Sequence, residues 1–194
     1  VIIEGNIGSG KTELLKALES KGFSVLYEPD YTLVHGIPLL KQYYEKGENT
    51  FEFQLYAMIS LWKVFLMAIE KNELIFIERS ILSSFHVFTT LLYQTNRLSS
   101  LQFGIIKQIF DEYKKHFPYD RVKKMIILEA DEKEMLMRIR KRGRNGEQFI
   151  TEELLKDIMQ AYSVFPRYYK GLTYSVDTTN KDVNSVVEQV LNLI

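Results

Sequence analysis

The chain has 194 residues, the size of one domain with a substantial core, and its 46% hydrophobic and 26% charged residues are ordinary for a globular protein. Lys and Arg (25) balance Asp and Glu (25), leaving no net field to attract a polyanion such as long nucleic acid, while the absence of cysteine excludes disulfides, thiolate zinc sites and cysteine nucleophiles. No membrane partner is expected, since Trp62, Lys63, Glu70 and Lys71 interrupt the longest apolar stretch before it reaches the ~20 residues of a membrane helix.

Val1-Ile2-Ile3-Glu4 reads as a buried strand running into Gly5-Asn6-Ile7-Gly8-Ser9-Gly10-Lys11-Thr12, the pattern G-x-x-x-x-G-K-[ST], with a helix predicted at once behind it over 11–20. This is the grammar of a phosphate-binding loop. Its glycines allow a tight turn, its backbone N–H groups and the helix N-terminus converge on a triphosphate, Lys11 reaches the β- and γ-phosphates, and Thr12 ligates Mg²⁺. A second strand is predicted at 23–27, ending at Glu28-Pro29. Helical spacing marks 51–71 as the longest helix, followed by a strand at 74–77 that the polar triplet Glu78-Arg79-Ser80 closes. Helices follow at 80–93 and 101–116, joined by Gln94-Thr95-Asn96-Arg97, and then a strand at 124–129. Asp131 starts a helix that ends in a basic run at 138–144, Thr151-Glu152-Glu153 opens another, and a strand at 174–176 precedes a closing helix at 183–193.

Short apolar strands alternating with helices imply an α/β domain spanning 1–194, with a five-stranded parallel sheet covered by helices on both faces. Ligands gather at the carboxyl ends of such strands, where Gly5, Glu28, Glu78 and Asp131 all fall. Glu28 suits a general base or an exposed turn residue equally well. Glu78 is placed like the acidic Mg²⁺ partner of phosphate-loop enzymes, with a surface ion pair to Arg79 as the competing reading. Arg138, Arg140, Lys141, Arg142 and Arg144 crowd around Gly143 and suggest a basic lid, about 138–149, that closes over ATP and excludes water.

The loop, the Tyr27-Glu28-Pro29 corner, Phe53-Gln54, Glu78-Arg79-Ser80 and the stretch from Arg142 to Gln148 together resemble the deoxyribonucleoside kinase family, in order and spacing across almost the whole chain. The resemblance implies a P-loop kinase fold, usually homodimeric, and ATP-dependent 5′-phosphorylation of deoxynucleosides with Mg²⁺. It implies that Glu28 takes the 5′-hydroxyl proton, that Arg79 steadies it, and that Glu78 partners magnesium. Tyr44, or Tyr43 if the gap falls elsewhere, and Glu147 match the pair that holds the sugar 3′-hydroxyl. Gln54 matches the side chain that reads the base edge, with Phe53 and Phe88 as aromatic walls. Arg138, Arg142 and Arg144 match the lid arginines, and Asn180-Lys181-Asp182 falls where the adenine-contacting loop lies.

The chain also departs from that pattern. Leu33 stands where an aromatic wall is expected, and Leu61 and Ser84 replace a charged pair of the deoxycytidine and deoxyguanosine kinase branches. With small Ala57 alongside, the pocket resembles pyrimidine-leaning, thymidine-accepting members. The alternative is a nucleoside monophosphate kinase such as thymidylate kinase, although that branch usually has Asp where Asn6 stands. A guanine-reading switch protein needs N-K-x-D, and Asn180-Lys181-Asp182-Val183 has its acid one residue early. The expected location is cytoplasmic, with an organellar leader left open because the chain opens inside a strand without Met.

Overall fold

The computed structural model describes residues 1–194. Five parallel strands, β1 (Ile2–Gly5), β2 (Ser24–Leu26), β3 (Ile75–Glu78), β4 (Lys124–Glu129) and β5 (Leu172–Asp177), form one sheet in the order β2-β3-β1-β4-β5. The expected five-stranded parallel sheet is present, with boundaries shifted by a few residues. The register sets Ile3 of β1 beside Glu78 of β3 and Gly5 beside Leu128 of β4, so the ends of the central strands open onto one edge.

Period-two alternation divides the sheet between two cores. Ile2, Ile75, Ile77, Met125 and Ile127 face the larger core, while Ile3, Phe76, Ile126 and Leu128 face the smaller one. The smaller core is closed by α1 (Lys11–Ser20) and α9 (Val183–Leu191). The larger is filled by α3 (Thr50–Ile69), the helical run α4 (Ile81–Ser83) with α5 (Thr90–Gln94), α6 (Ser100–Lys115) and α8 (Glu152–Val164). Helix α2 (Leu39–Lys46), not expected from the sequence, adds Leu39, Leu40 and Tyr43 to the larger core, and α7 (Glu132–Arg142) buries Met135 and Ile139 in a third, smaller cluster with Ile150 and Leu155.

The expected continuous helix over 80–93 is broken by a π-helical turn, Ser84–Thr89. Its cause is local. The Ser84 carbonyl accepts from the Thr89 hydroxyl (2.9 Å) and from Gln54 Nε2 (2.8 Å), and Thr90 donates to the Phe85 carbonyl (3.0 Å), so side chains satisfy carbonyls five residues back. The reading of α3 as too interrupted for a membrane also needs correction. Its 20 residues have a mean hydropathy of 1.3, enough by length and composition, because Glu70 and Lys71 lie past its end. Half of that window is buried inside the protein, where Phe53, Gln54, Ala57 and Leu61 meet the larger core and the cavity described below.

His86, on the π-helical turn, stacks on Tyr168 (3.8 Å, 6°) with Phe110 edge-on, and its Nε2 is buried without a partner. Burial, and then the charge of Lys114, push its pKa down to about 4, with Asp111 opposing. Between that value and the ordinary 6.5 the unfolded chain binds a proton the folded chain refuses, so stability falls on acidification through this window. Thermal unfolding followed from pH 7 to pH 4.5 should show a steeper loss for the parent than for His86→Phe, and parallel curves would refute this assignment.

Candidate active site

The phosphate loop forms as its sequence requires. Gly10 precedes α1 in the left-handed region (φ 97°) and offers no side-chain cap, leaving the first-turn N–H groups of α1 free to meet an anion. Gly8 (φ 79°) packs so tightly against α7 that an added Cβ would come within 2.6 Å of the Met135 carbonyl. Gly5, Asn6 and Ser9 contribute framework rather than lining. Asn6 donates to the Leu155 carbonyl of α8 (2.8 Å) and accepts from Ile7 N–H (2.7 Å), and the Ser9 hydroxyl is buried with no partner. Lys11 bends back onto the Gly5 and Asn6 carbonyls (3.1 and 2.8 Å), and burial, followed by repulsion from Arg79, lowers its pKa to about 7.

A single cavity of about 1040 Å³ runs from this loop across the sheet edge. At its centre, Glu28 and Arg79 form an ion pair in which the single Arg79 Nε–H is shared between the two carboxylate oxygens, 3.1 Å from each. The Glu28 side chain is 24% exposed and Arg79 only 6%, so the carboxylate faces the cavity while its partner lies beneath. Arg79 has positive φ (65°), uncommon for a non-glycine residue and in keeping with a constrained site. Its Nη1 donates to the Tyr162 hydroxyl (2.7 Å) and the Gly5 carbonyl (3.4 Å), and Phe88 lies 4.7 Å from its guanidinium. Burial works against the charge, yet Glu28 and Tyr162 hold the guanidinium firmly protonated.

Behind Arg79 lies a network that the sequence reading missed. Glu4, fully buried on β1, accepts from Ser80 Oγ (2.6 Å) and Tyr162 OH (3.0 Å), and burial raises its pKa above the usual carboxylate range. A polar residue inside an apolar strand pattern was the available signal.

Thr12 Oγ1 donates to Glu78 Oε1 (2.8 Å), and the other Glu78 oxygen accepts from Glu28 N–H (3.4 Å). These two oxygen ligands fit Mg²⁺, which typically takes one or two protein oxygens and completes its shell with phosphates and water. No cluster of three or more His, Cys, Asp or Glu side chains competes as a metal site.

Farther along, Phe53, Gln54, Ala57, Leu61, Ser84 and Phe88 line the cavity as one group. Gln54 Nε2 reaches the Ser84 carbonyl (2.8 Å) and hydroxyl (2.9 Å), a pairing the π-helical turn makes available. Tyr43 stacks on Phe53 (4.3 Å, 12°) and under Arg97 (4.7 Å), and Tyr43 and Tyr44 both line the cavity. Leu33 is 66% exposed, and Tyr31 meets Phe53 edge-on at 5.6 Å.

The basic run divides its duties. Arg138 donates to Glu134 (3.0 Å), the Gly8 carbonyl (3.4 Å) and Thr178 (2.7 and 3.0 Å), pinning α7 to the loop and to the end of β5. Arg142 grips Glu147 with two bonds (3.0 and 2.7 Å), Arg144 approaches it at 3.6 Å, and all three arginines line the cavity with Glu147. Arg140 instead binds the carbonyls of Glu147, Gln148 and Ile150 and shapes the lid. The lid rests on α2, since a Cβ at Gly146 would lie 2.7 Å from Lys41 Cα.

Of Asn180-Lys181-Asp182, Lys181 lines the cavity together with Thr178, while Asp182 caps α9, accepting from Asn184 and Ser185 N–H (3.0 and 3.1 Å), and Asn180 is exposed in the left-handed region. Asp131, though past β4, does not line the cavity.

A glycine-rich loop opening a helix, at the edge of a parallel sheet and continuous with an acceptor pocket, defines a phosphate-loop α/β protein. A family model described as deoxynucleoside kinase matches residues 1–194, and the chain belongs to that family, whose members are kinases that phosphorylate nucleosides. It is similar to deoxycytidine kinase 1 of Xenopus laevis (28% identity over 185 residues, 81% of this chain and 70% of that protein). It is also similar to a deoxyguanosine kinase of Dictyostelium discoideum (28% over 202 residues, 99% and 68%). A probable deoxycytidine kinase of fowlpox virus is 30% identical over 116 residues, 59% of this chain, which spans about half (48%) of that protein's length. In fold it is similar to deoxyadenosine kinase from M. mycoides with bound dATP, at a TM-score of 0.77 and 24% identity, covering 99% and 97% of the two chains. These findings do not favour the nucleoside monophosphate kinase alternative.

Tyr162→Phe would strip one partner from Glu4 and one from Arg79, at a cost of about 1–3 kcal/mol for a buried polar group left unpaired. Urea unfolding should show that loss, and an unchanged midpoint would contradict the network.

Proposed function

We propose that the chain is an ATP-dependent kinase of nucleotide salvage that phosphorylates the 5′-hydroxyl of deoxyribonucleosides, pyrimidines in preference to purines. The observation that carries this reading is the continuity of one cavity from the phosphate loop, past the Glu28–Arg79 pair, to Gln54. The loop N–H groups and Lys11 hold the ATP phosphates, and Glu28, kept in place by Arg79, accepts the 5′-hydroxyl proton as the oxygen attacks the γ-phosphoryl group, whose bond to the β–γ bridging oxygen breaks to release ADP. Thr12 and Glu78 would hold Mg²⁺, which would supply charge neutralisation to the phosphates. Arg138, Arg142 and Arg144 offset charge on the transferring group, and Tyr44 with Glu147 takes the sugar 3′-hydroxyl.

Gln54 reads the base edge between Phe53 and Phe88. The pyrimidine preference rests on Leu61, Ser84 and Ala57. Leu61 and Ala57 are apolar and buried, and Ser84 is engaged by Gln54, which leaves that end of the pocket uncharged and suited to a 5-methyl group. The resemblance carries the further reading of a cytoplasmic homodimer.

Labelled ATP incubated with each of the four deoxynucleosides and with their monophosphates tests the function. Thymidine and deoxycytidine should give the highest kcat/KM, and a preference for deoxyadenosine or deoxyguanosine would overturn the pocket reading while leaving the kinase reading in place. Glu28→Gln should lower kcat by ~10²–10⁴-fold with ATP affinity nearly intact, because the phosphates are held elsewhere. A near-normal kcat would remove Glu28 from the role of base.

A further inference from the structure

Tyr31 lies three residues after Glu28, in the loop between β2 and α2. It is only 7% exposed and lines the cavity, yet its hydroxyl is buried with no hydrogen-bond partner. Buried hydroxyls in native folds almost always have partners, and an exception in a ligand cavity points to a partner that arrives with the ligand.

The surrounding chain fixes the ring in place. Asp30 accepts from Thr32 N–H and Oγ1 (2.9 and 2.8 Å), bending the loop. The Tyr31 carbonyl accepts from Leu40 N–H at the start of α2 (3.1 Å). The ring meets Phe53 and Tyr56 edge-on, at 5.6 and 6.2 Å, and these two residues flank Gln54 on α3. Leu33 meanwhile points outward, so the aromatic expected two residues later in the chain is supplied by Tyr31. Burial, reinforced by the charge of Glu28, pushes the phenol well above its usual range, so the group stays protonated and can both donate and accept.

We infer that Tyr31 forms the wall of the nucleoside pocket that Leu33 leaves open, and that its hydroxyl makes a hydrogen bond to the bound nucleoside. The residue is thus a substrate-binding and specificity-determining contact, and the inference rests on the kinase reading above. The phenol adds a further hydrogen-bonding group to Gln54 and Ser84 in this part of the cavity.

The experiment compares the full-length parent with Tyr31→Phe and Tyr31→Leu, using the best of the four deoxynucleosides, with nucleoside and ATP varied in turn, alongside thermal unfolding. Tyr31→Phe keeps the ring and removes only the hydroxyl. It should raise the nucleoside KM roughly 3- to 10-fold, the worth of one neutral hydrogen bond, while ATP KM and kcat stay near parental values. Its melting temperature should not fall, because the lost hydroxyl has no partner in the fold. Tyr31→Leu should raise the nucleoside KM further, through loss of the wall. An active parent whose Tyr31→Phe variant keeps the parental nucleoside KM overturns the inference alone, as does a variant that melts earlier and loses ATP and nucleoside affinity equally. A parent inactive on all four nucleosides overturns the kinase reading and the inference with it.

Discussion

The buried guanidinium of Arg79 is the interaction around which the site is assembled. It stands just past the end of β3, in a left-handed conformation, and touches the phosphate loop at the Gly5 carbonyl, Glu28 past β2, Tyr162 of α8 and Phe88 of the π-helical turn. A buried charge is tolerated when it is paired and hydrogen-bonded, and the fork geometry of arginine meets both conditions with carboxylate and phenol at once. One side chain therefore sets the distance between the phosphate loop and the acceptor side of the cavity. Moving any of these elements would cost the others a partner.

Three carboxylates around it illustrate how environment divides roles among like groups. Glu4 is sealed from water, satisfied by Ser80 and Tyr162, and serves as scaffold. Glu78 is tied to Thr12 at the phosphate loop. Glu28 alone presents a partly exposed carboxylate to the cavity. The lid repeats the device, since Arg142 and Arg144 close on Glu147 and Gly146 lets the loop touch α2. The lid still keeps an excess of positive charge, since Arg138, Arg140, Lys141, Arg142 and Arg144 stand against the single carboxylate of Glu147.

The parallel sheet was legible in the sequence because strands buried on both faces read as uninterrupted apolar runs, as in Ile126-Ile127-Leu128. The phosphate loop and the positions of Glu28, Glu78 and Arg79 were legible because strand ends fix them whatever the surrounding helices do. Helix α2 escaped notice because its start at Pro38 carries no side-chain cap, and its apolar residues form only one short face. The π-helical turn was invisible because it depends on Gln54, thirty residues away in sequence, meeting the Ser84 carbonyl. Tyr31 and Tyr162 were missed for the same reason, since their importance lies in long-range geometry that local spacing does not encode.

Single-turnover phosphoryl transfer by Arg79→Lys tests the central role of this residue most directly. Lysine keeps the charge but has one nitrogen, and cannot hold Glu28 from one donor position while a second, set in the same plane, reaches Tyr162 and Gly5. With enzyme in excess and ATP and nucleoside binding measured separately, the chemical step should slow by ~10²-fold while both ligands still bind, as expected when a reacting group is displaced by about an ångström. A chemical step at the parental rate would show that Glu28 is positioned without Arg79 and would contradict this account.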